Sequence, residues 1–205
     1  MKKHIILIIS IIFSSCSSIK VEEQIVKDFI SEKKLNNFDG TSPTFLIEEA
    51  GSNEKTLDYY EMAFLEKDLG LGENKIVFGP RNSNYWPIDL KEIKTLKSIH
   101  KKDSLPFQWA NKDLNSLYIS IIKRNELLSK TNNGTMPLAS TGHIISKPIL
   151  SLDKKHALFT YIGIFATGGI PTEVFLVEKQ KGKWKIKAYY GENSDYQPPS
   201  WRIKK

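Results

Sequence analysis

HALFTYIGIF, residues 156–165, limits what this chain can fold into more than any other stretch. Ten residues rich in β-branched and aromatic side chains read as a strand. A strand points successive side chains to opposite faces, and this one is apolar on both. It is therefore expected at the centre of a sheet, with cover on both sides. Around it lie further strand candidates at Lys147 to Leu150, Thr172 to Glu178 and Lys183 to Tyr190. Turn signals separate them: Ser151 to Lys154, Gly168-Gly169-Ile170-Pro171, and Lys181-Gly182. The pattern predicts an antiparallel meander over about the last fifty residues. In its last strand Trp184, Ile186 and Ala188 share one face, and Lys183, Lys185 and Lys187 point to water. A two-residue turn at Lys181-Gly182 sets Val177 opposite Ile186 and Glu178 opposite Lys185. Lysine is a poor first residue for the type I′ turn this needs. A three-residue turn, one step out of register, competes with it.

The first half supplies the cover. Val21, Ile25, Val26, Phe29 and Ile30 form a helical stripe. Leu57, Tyr60, Phe64, Leu65 and Leu69 form another, ended by Gly70 and Gly72. Asp89 is the expected N-cap of a helix over Leu90 to His100. A fourth helix is expected to start at Asn111 or Asp113 and to run through Leu114, Ile121 and Ile122 to Leu128. Thr44 to Ile47 and Lys75 to Phe78 read as short strands, His156 as a half-exposed edge residue. The fold class is α+β: N-terminal helices packed on a C-terminal antiparallel sheet that lies mainly in 143–190.

The N-terminus has a different character. Lys2 and Lys3 precede the apolar run Ile5 to Phe13, which ends in Ser14-Ser15-Cys16. A bilayer-crossing helix needs about 20 apolar residues, so this run is too short. Charged start, short apolar middle and small residues are the layout of a secretory signal. Phe13-Ser14-Ser15-Cys16 resembles a bacterial lipobox of the looser Bacteroidetes type. Phe13 and Ser15 stand where the usual box has Leu and then Ala or Gly. The resemblance implies that residues 1–15 are removed, that Cys16 is acylated, and that residues 16–20 form a tether to one domain over 21–205. It places the protein in the cell envelope, lipid-anchored, and Ser17 after the cysteine points to the outer membrane. "ISKPILSLDKKHALFTY" and "VFLVEKQKGKWKI" are similar to the C-terminal ends of small Bacteroidetes lipoproteins with no assigned activity. Cys16 is the only cysteine, so no intramolecular disulfide forms.

Charge divides unevenly. Residues 16–146 carry 17 Lys and Arg against 18 Asp and Glu, and residues 147–205 carry 11 against 5. The basic excess reads either as attraction to acidic head groups or an acidic polymer, or as a solvated lysine face. No nucleic-acid-binding pattern is present.

Candidate chemistry is sparse. No HExxH, P-loop or G-x-S-x-G pattern occurs, so neither metal nor cofactor is expected. His143 in "STGHII", with Ser140 nearby, is the best nucleophile–base candidate. Glu48-Glu49 and Glu61 with Glu66 are acidic pairs, expected to be solvated. Tyr85, Trp86 and Trp109 form aromatic clusters that serve as binding platforms if exposed and as core if buried. Asp103-Ser104-Leu105 resembles the O-glycosylation sequence of Bacteroidetes secreted proteins. The reading favoured is a non-catalytic binding or structural lipoprotein, with the bilayer and an unknown envelope protein or polymer as partners. The alternatives are an NTF2-like enzyme or ligand binder with a cavity between sheet and helices, resting on the "GKWKI" strand, and an inhibitor or immunity-type lipoprotein.

Overall fold

The computed structural model describes residues 21–35, 42–66, 77–78, 86–101, 107–110, 114, 119–165, 168–169 and 172–191. Cys16, Tyr85, Asp103-Ser104-Leu105 and the terminal YQPPSWRIKK lie outside them.

Helix α1 covers 21–32, followed by β1 (Thr44–Ile47), α2 (Asn53–Glu66), β2 (Val77–Phe78) and α3 (Leu90–His100). Then come β3 (Ser120–Ile122), α4 (Arg124–Asn132), β4 (Thr141–Ile145), β5 (Ile149–Leu150) and β6 (His156–Phe165). Strands β7 (Gly168–Gly169), β8 (Glu173–Gln180) and β9 (Lys183–Gly191) complete the described order. The strands form one sheet in the order β2-β9-β8-β6-β4-β1-β3, with β5 and β7 also paired to β6. The class is α+β, with helices mostly in the first half and strands in the second.

Both faces of the sheet are covered, as the composition of β6 requires. On one face α1 sets Ile25, Val26, Phe29 and Ile30 against Ala157, Phe159, Tyr161, Phe175 and Val177. Phe29 meets the rings of Phe159 and Phe175 edge-on, each at 4.8 Å. On the other face α2 and α3 set Leu57, Tyr60, Ile93 and Leu96 against Leu158, Val174 and Leu176. Farther along that face Leu127 of α4 packs with Ile47, Ile122, Ile144 and Ile164.

Local chemistry sets the ends of the elements. Asp89 caps α3 by accepting from the Glu92 N–H at 2.8 Å. Helix α1 closes with Leu35 N–H bonded to Ile30 O and Lys34 N–H to Ser31 O, with Lys34 at φ 55°. That is a Schellman ending, in which glycine is the usual left-handed residue. The β8–β9 turn has Lys181 at φ 48° and Gly182 at φ 81°, both positive as a type I′ turn needs. Val177 faces Ile186 and Glu178 faces Lys185. The lysine accepts the left-handed conformation, and the two-residue register holds.

The C-terminal strands β4, β6, β8 and β9 pair antiparallel as expected, and β1, parallel to both β3 and β4, makes the whole sheet mixed. Three expectations are corrected. The expected fourth helix is helical at Leu114, with 111–113 and 115–118 outside the described residues, but Ile121 and Ile122 belong to β3; their β-branched side chains fill both faces beside β1, and a separate helix, α4, starts at Arg124. Ala188 does not share a face with Trp184 and Ile186. A bulge between Leu176/Val177 and their partners leaves Lys187 as an extra residue, so Ala188 turns to the α2–α3 side while Trp184 stays with α1. His156 is 9% exposed on a central strand, between β5 and β8, and is no edge residue.

A second bulge shapes β4–β5. Ile145 pairs with Tyr161 but Ile149 with Leu158, so three residues oppose two. Pro148, which has no N–H to give the ladder, sits in the bulge. The Ser146 hydroxyl accepts the Thr160 N–H at 2.8 Å in place of a backbone oxygen. Thr56 of α2 meets the same hydroxyl at 3.0 Å. Gly51 lets the loop before α2 come this close: a Cβ there would lie 2.9 Å from the Thr160 hydroxyl.

Candidate functional site

The register that aligns β4, β6 and β8 lines up three titratable groups on the α1 face. His143 lies opposite Gly163, Ile145 opposite Tyr161, and Tyr161 opposite Glu173. His143 Nδ1 is 3.0 Å from the Tyr161 hydroxyl, and the two rings stack at 5.8 Å. His143 is 4% and Tyr161 6% exposed. The imidazole Nε2 is buried and has no hydrogen-bond partner among the described residues.

Burial sets the charge states. It lowers the His143 pKa to about 4, so the imidazole is neutral at physiological pH. It raises Tyr161 to about 12, with the Glu173 charge adding to the effect. The Glu173 carboxyl is itself raised by burial, against the pull of Lys33. Lys33 Nζ sits 5.0 Å from the Phe175 ring centre and 5.5 Å from that of Tyr189, within cation–π range. The row is thus a neutral imidazole, a protonated phenol and a carboxyl that ionises reluctantly. Such a pair exchanges a hydrogen bond but presents no activated nucleophile.

Ser140 does not join it. Its hydroxyl donates to Pro137 O at 2.6 Å, and its N–H bonds the same oxygen. Offset by three residues at the start of an extended strand, Ser140 and His143 point to different sides. The partner His143 does have, Tyr161, was hidden in the sequence. Strand alternation places Ala157, Phe159 and Tyr161 on one face, but a bulge and a five-residue turn decide which of them reaches His143.

The aromatic candidates separate as well. Trp109 is 2% exposed, its indole N–H bonded to Ile145 O at 2.9 Å on the α1 face. Trp86 is half-buried on the other face, stacked on Tyr190 at 4.7 Å, tilted against Tyr60 and edge-on to Phe64. The thickness of the sheet lies between them.

One member of each expected acidic pair, Glu49 and Glu61, is engaged within the fold, and the side chain of Glu66 lies outside the described residues. Glu49 accepts the Arg124 N–H at 3.1 Å, at the start of α4. Glu61 and Asp58 of α2 both bind Lys97 of α3. Burial works against the lysine charge, but these two carboxylates outweigh it and raise the Lys97 pKa. An open depression of about 400 Å³ beside them is lined by Lys55, Asp58, Tyr59, Glu61 and Met62. His156 lies 3.9 Å from both Asp153 and Glu178, and the Ser151 hydroxyl donates to Asp153 at 2.6 Å and not to the imidazole. Among the described residues no three His, Cys, Asp or Glu converge to hold a metal. Gly168 and Gly169 pair with Phe165 and Ile164, extending the β6 ladder.

No protein-family model, curated protein or solved structure significantly matches the chain.

Proposed function

We propose that this chain is an envelope lipoprotein held in the outer membrane by an acylated Cys16, and that its folded part is a non-catalytic binding or structural module. The anchor half of the reading rests on the sequence: a short apolar run after Lys2 and Lys3, ending in Ser-Ser-Cys. No helix among the described residues is long and apolar enough to cross a membrane.

The module half rests on one observation. The polar side chains best suited to a nucleophile–base pair are each committed within the fold: the Ser140 hydroxyl to Pro137 O, the His143 Nδ1 to Tyr161. The space between sheet and α1 is filled by Phe29, Phe159 and Phe175. What remains for function is the outer surface, which suits capture of an envelope protein or polymer.

Metabolic labelling with a radioactive fatty acid tests the anchor. Cys16→Ala should abolish labelling and release or misprocess the protein; a mutant labelled like the wild type refutes it. Affinity capture from envelope extract tests the module. A reproducible partner retained by His143→Gln supports a surface role. A partner or turnover lost with that substitution alone would put the function at the His143–Tyr161 pair instead.

A further inference from the structure

The turns before β6 and between β8 and β9 lie side by side. Lys179 N–H bonds Lys155 O at 2.9 Å, and His156 pairs with Glu178 across the same end of the sheet. This brings Lys154, Lys155, Lys179, Lys181, Lys183 and Lys185 together at one end, all exposed. The carboxylates there do not match them. Glu178 is taken by Lys187 at 2.8 Å, Asp153 reaches Lys155 only at 3.9 Å, and Glu32 reaches Lys185 at 3.9 Å. For Lys154, Lys179, Lys181 and Lys183 no ion pair is made with a described residue.

Backbone conformation gives a second, independent observation. The described residues other than glycine with positive φ are Lys34, Lys154 and Lys181. Two of the three are the tips of these adjacent turns. An L side chain enters this region at an energetic cost that glycine escapes and asparagine reduces. Turn stability alone would place Asn or Gly at both tips, yet both carry a cation.

We propose that this basic end is a docking surface for the phosphate head groups of an anionic bilayer. Every cation in it is a lysine. A defined phosphate or carboxylate is better matched by the planar fork of arginine. An array of flexible point charges suits a laterally diffuse anionic surface. The anchor position argues for the bilayer as occupant, a step that rests on the anchoring reading above. Asp28 of α1 accepts the Trp184 N–H at 2.7 Å, directly beside this end. From Asp28 back to residue 21 the helix rises about 10 Å. The five residues from there to Cys16 span at most about 18 Å. An acylated Cys16 would thus hold the basic end near the head groups. One lipid signal with one polybasic patch is the pairing that makes membrane residence firm.

Co-sedimentation with vesicles tests this without the acyl chain. Full-chain protein carrying Cys16→Ala is mixed with phosphatidylcholine vesicles, or with vesicles of two parts phosphatidylcholine to one part phosphatidylglycerol. Binding should be stronger to the anionic vesicles and should fall as salt rises. K154N/K181N, which gives both tips a residue suited to positive φ, should melt no lower than its parent. It should lose affinity by about fivefold per lysine. K154R/K181R, which keeps the charge, should bind like the parent. Equal binding of the parent to neutral and anionic vesicles overturns the proposal, as does undiminished binding by the asparagine variant. Retention on alginate with no preference for anionic vesicles overturns the choice of a bilayer. Failure of fatty-acid labelling, by contrast, bears on Cys16 and leaves this result standing.

Discussion

The two faces of the sheet are held by different chemistry. On the α1 face α1, together with Trp109 and the helical Leu114, covers an aromatic layer of Phe29, Phe159, Phe175 and Trp184. Carboxylates of α1 hold the edge of the sheet as well. Asp28 and Glu32 accept the N–H groups of Trp184 and Ile186, on the side of β9 turned away from β8. Those two carboxylates do what a further strand would do for that stretch of edge. The opposite face is covered by three helices over mostly aliphatic side chains. It meets the sheet through neutral hydroxyls, Thr56, Ser146 and Thr160, and through Glu92, which accepts the Leu152 N–H at 2.7 Å. Its ion pairs, Lys97 with Asp58 and Glu61, tie α2 to α3, whereas the carboxylates of α1 grip the edge of the sheet.

Truncation should expose the contrast most strongly. Phe29→Ala and Trp184→Ala should each cost about 3–5 kcal/mol, since each empties a buried aromatic site in the layer under α1. Leu57→Ala, in the layer shared by α2 and α3, should cost less, about 2–3 kcal/mol, as two helices settle around the gap. Urea unfolding measures all three. If Leu57→Ala costs as much as Phe29→Ala, the aromatic layer is not the more fragile one.

Acidification should reach a buried group on the α1 face. The His143 value of about 4 in the folded chain lies below the 6.5 of an ordinary histidine. Between these values the unfolded chain binds the proton and the folded chain does not. The stability is fully present above about pH 6.5 and is lost as pH falls towards 4, by about 3 kcal/mol. Glu173, raised by burial, works with the opposite sign. His143→Gln keeps a partner for Tyr161 and removes the titration. The difference in stability between wild type and variant should shift by that amount from pH 7 to pH 4. A difference constant with pH would mean that water reaches the imidazole.

Smaller effects sharpen the same comparison. Ser146→Ala leaves the buried Thr160 N–H without its acceptor and should cost about 2 kcal/mol, unchanged by salt. Asp28→Ala removes a charge-assisted bond at a half-buried edge and should cost about 1 kcal/mol, less in high salt. Reversal of these salt responses would erase the distinction between the faces. Lys181→Asn should stabilise by about 0.5 kcal/mol, because asparagine suits the first position of a type I′ turn.

The local periodicities were legible from the residues. The stripe on α1, the Asp89 cap and the two-sided burial of β6 all follow from spacings within one element, while the β8–β9 register stood between two turn lengths. The candidate site was not legible to the same degree. His143 stood out by residue type, but nothing near it names Tyr161 or Glu173, which lie 18 and 30 positions farther along the chain. Trp86 and Trp109 looked alike as loop aromatics, and only the sheet between them sets them apart.

What the sequence determined by itself is the α+β class and the covered central strand, because patterns of period two and 3.6 report which side of an element is buried. Tertiary structure decided the rest. A three-residue strand such as β3 has too little sequence to declare itself, and it is stable only beside β1. Each bulge inserts one residue, which reverses every side chain beyond it. That single step sent Ala188 to the α2–α3 face; the register set beyond the bulge at Ser146 brought His143 to Tyr161. Pairing energy over the whole sheet chooses where such steps fall, and no short stretch of residues contains that sum.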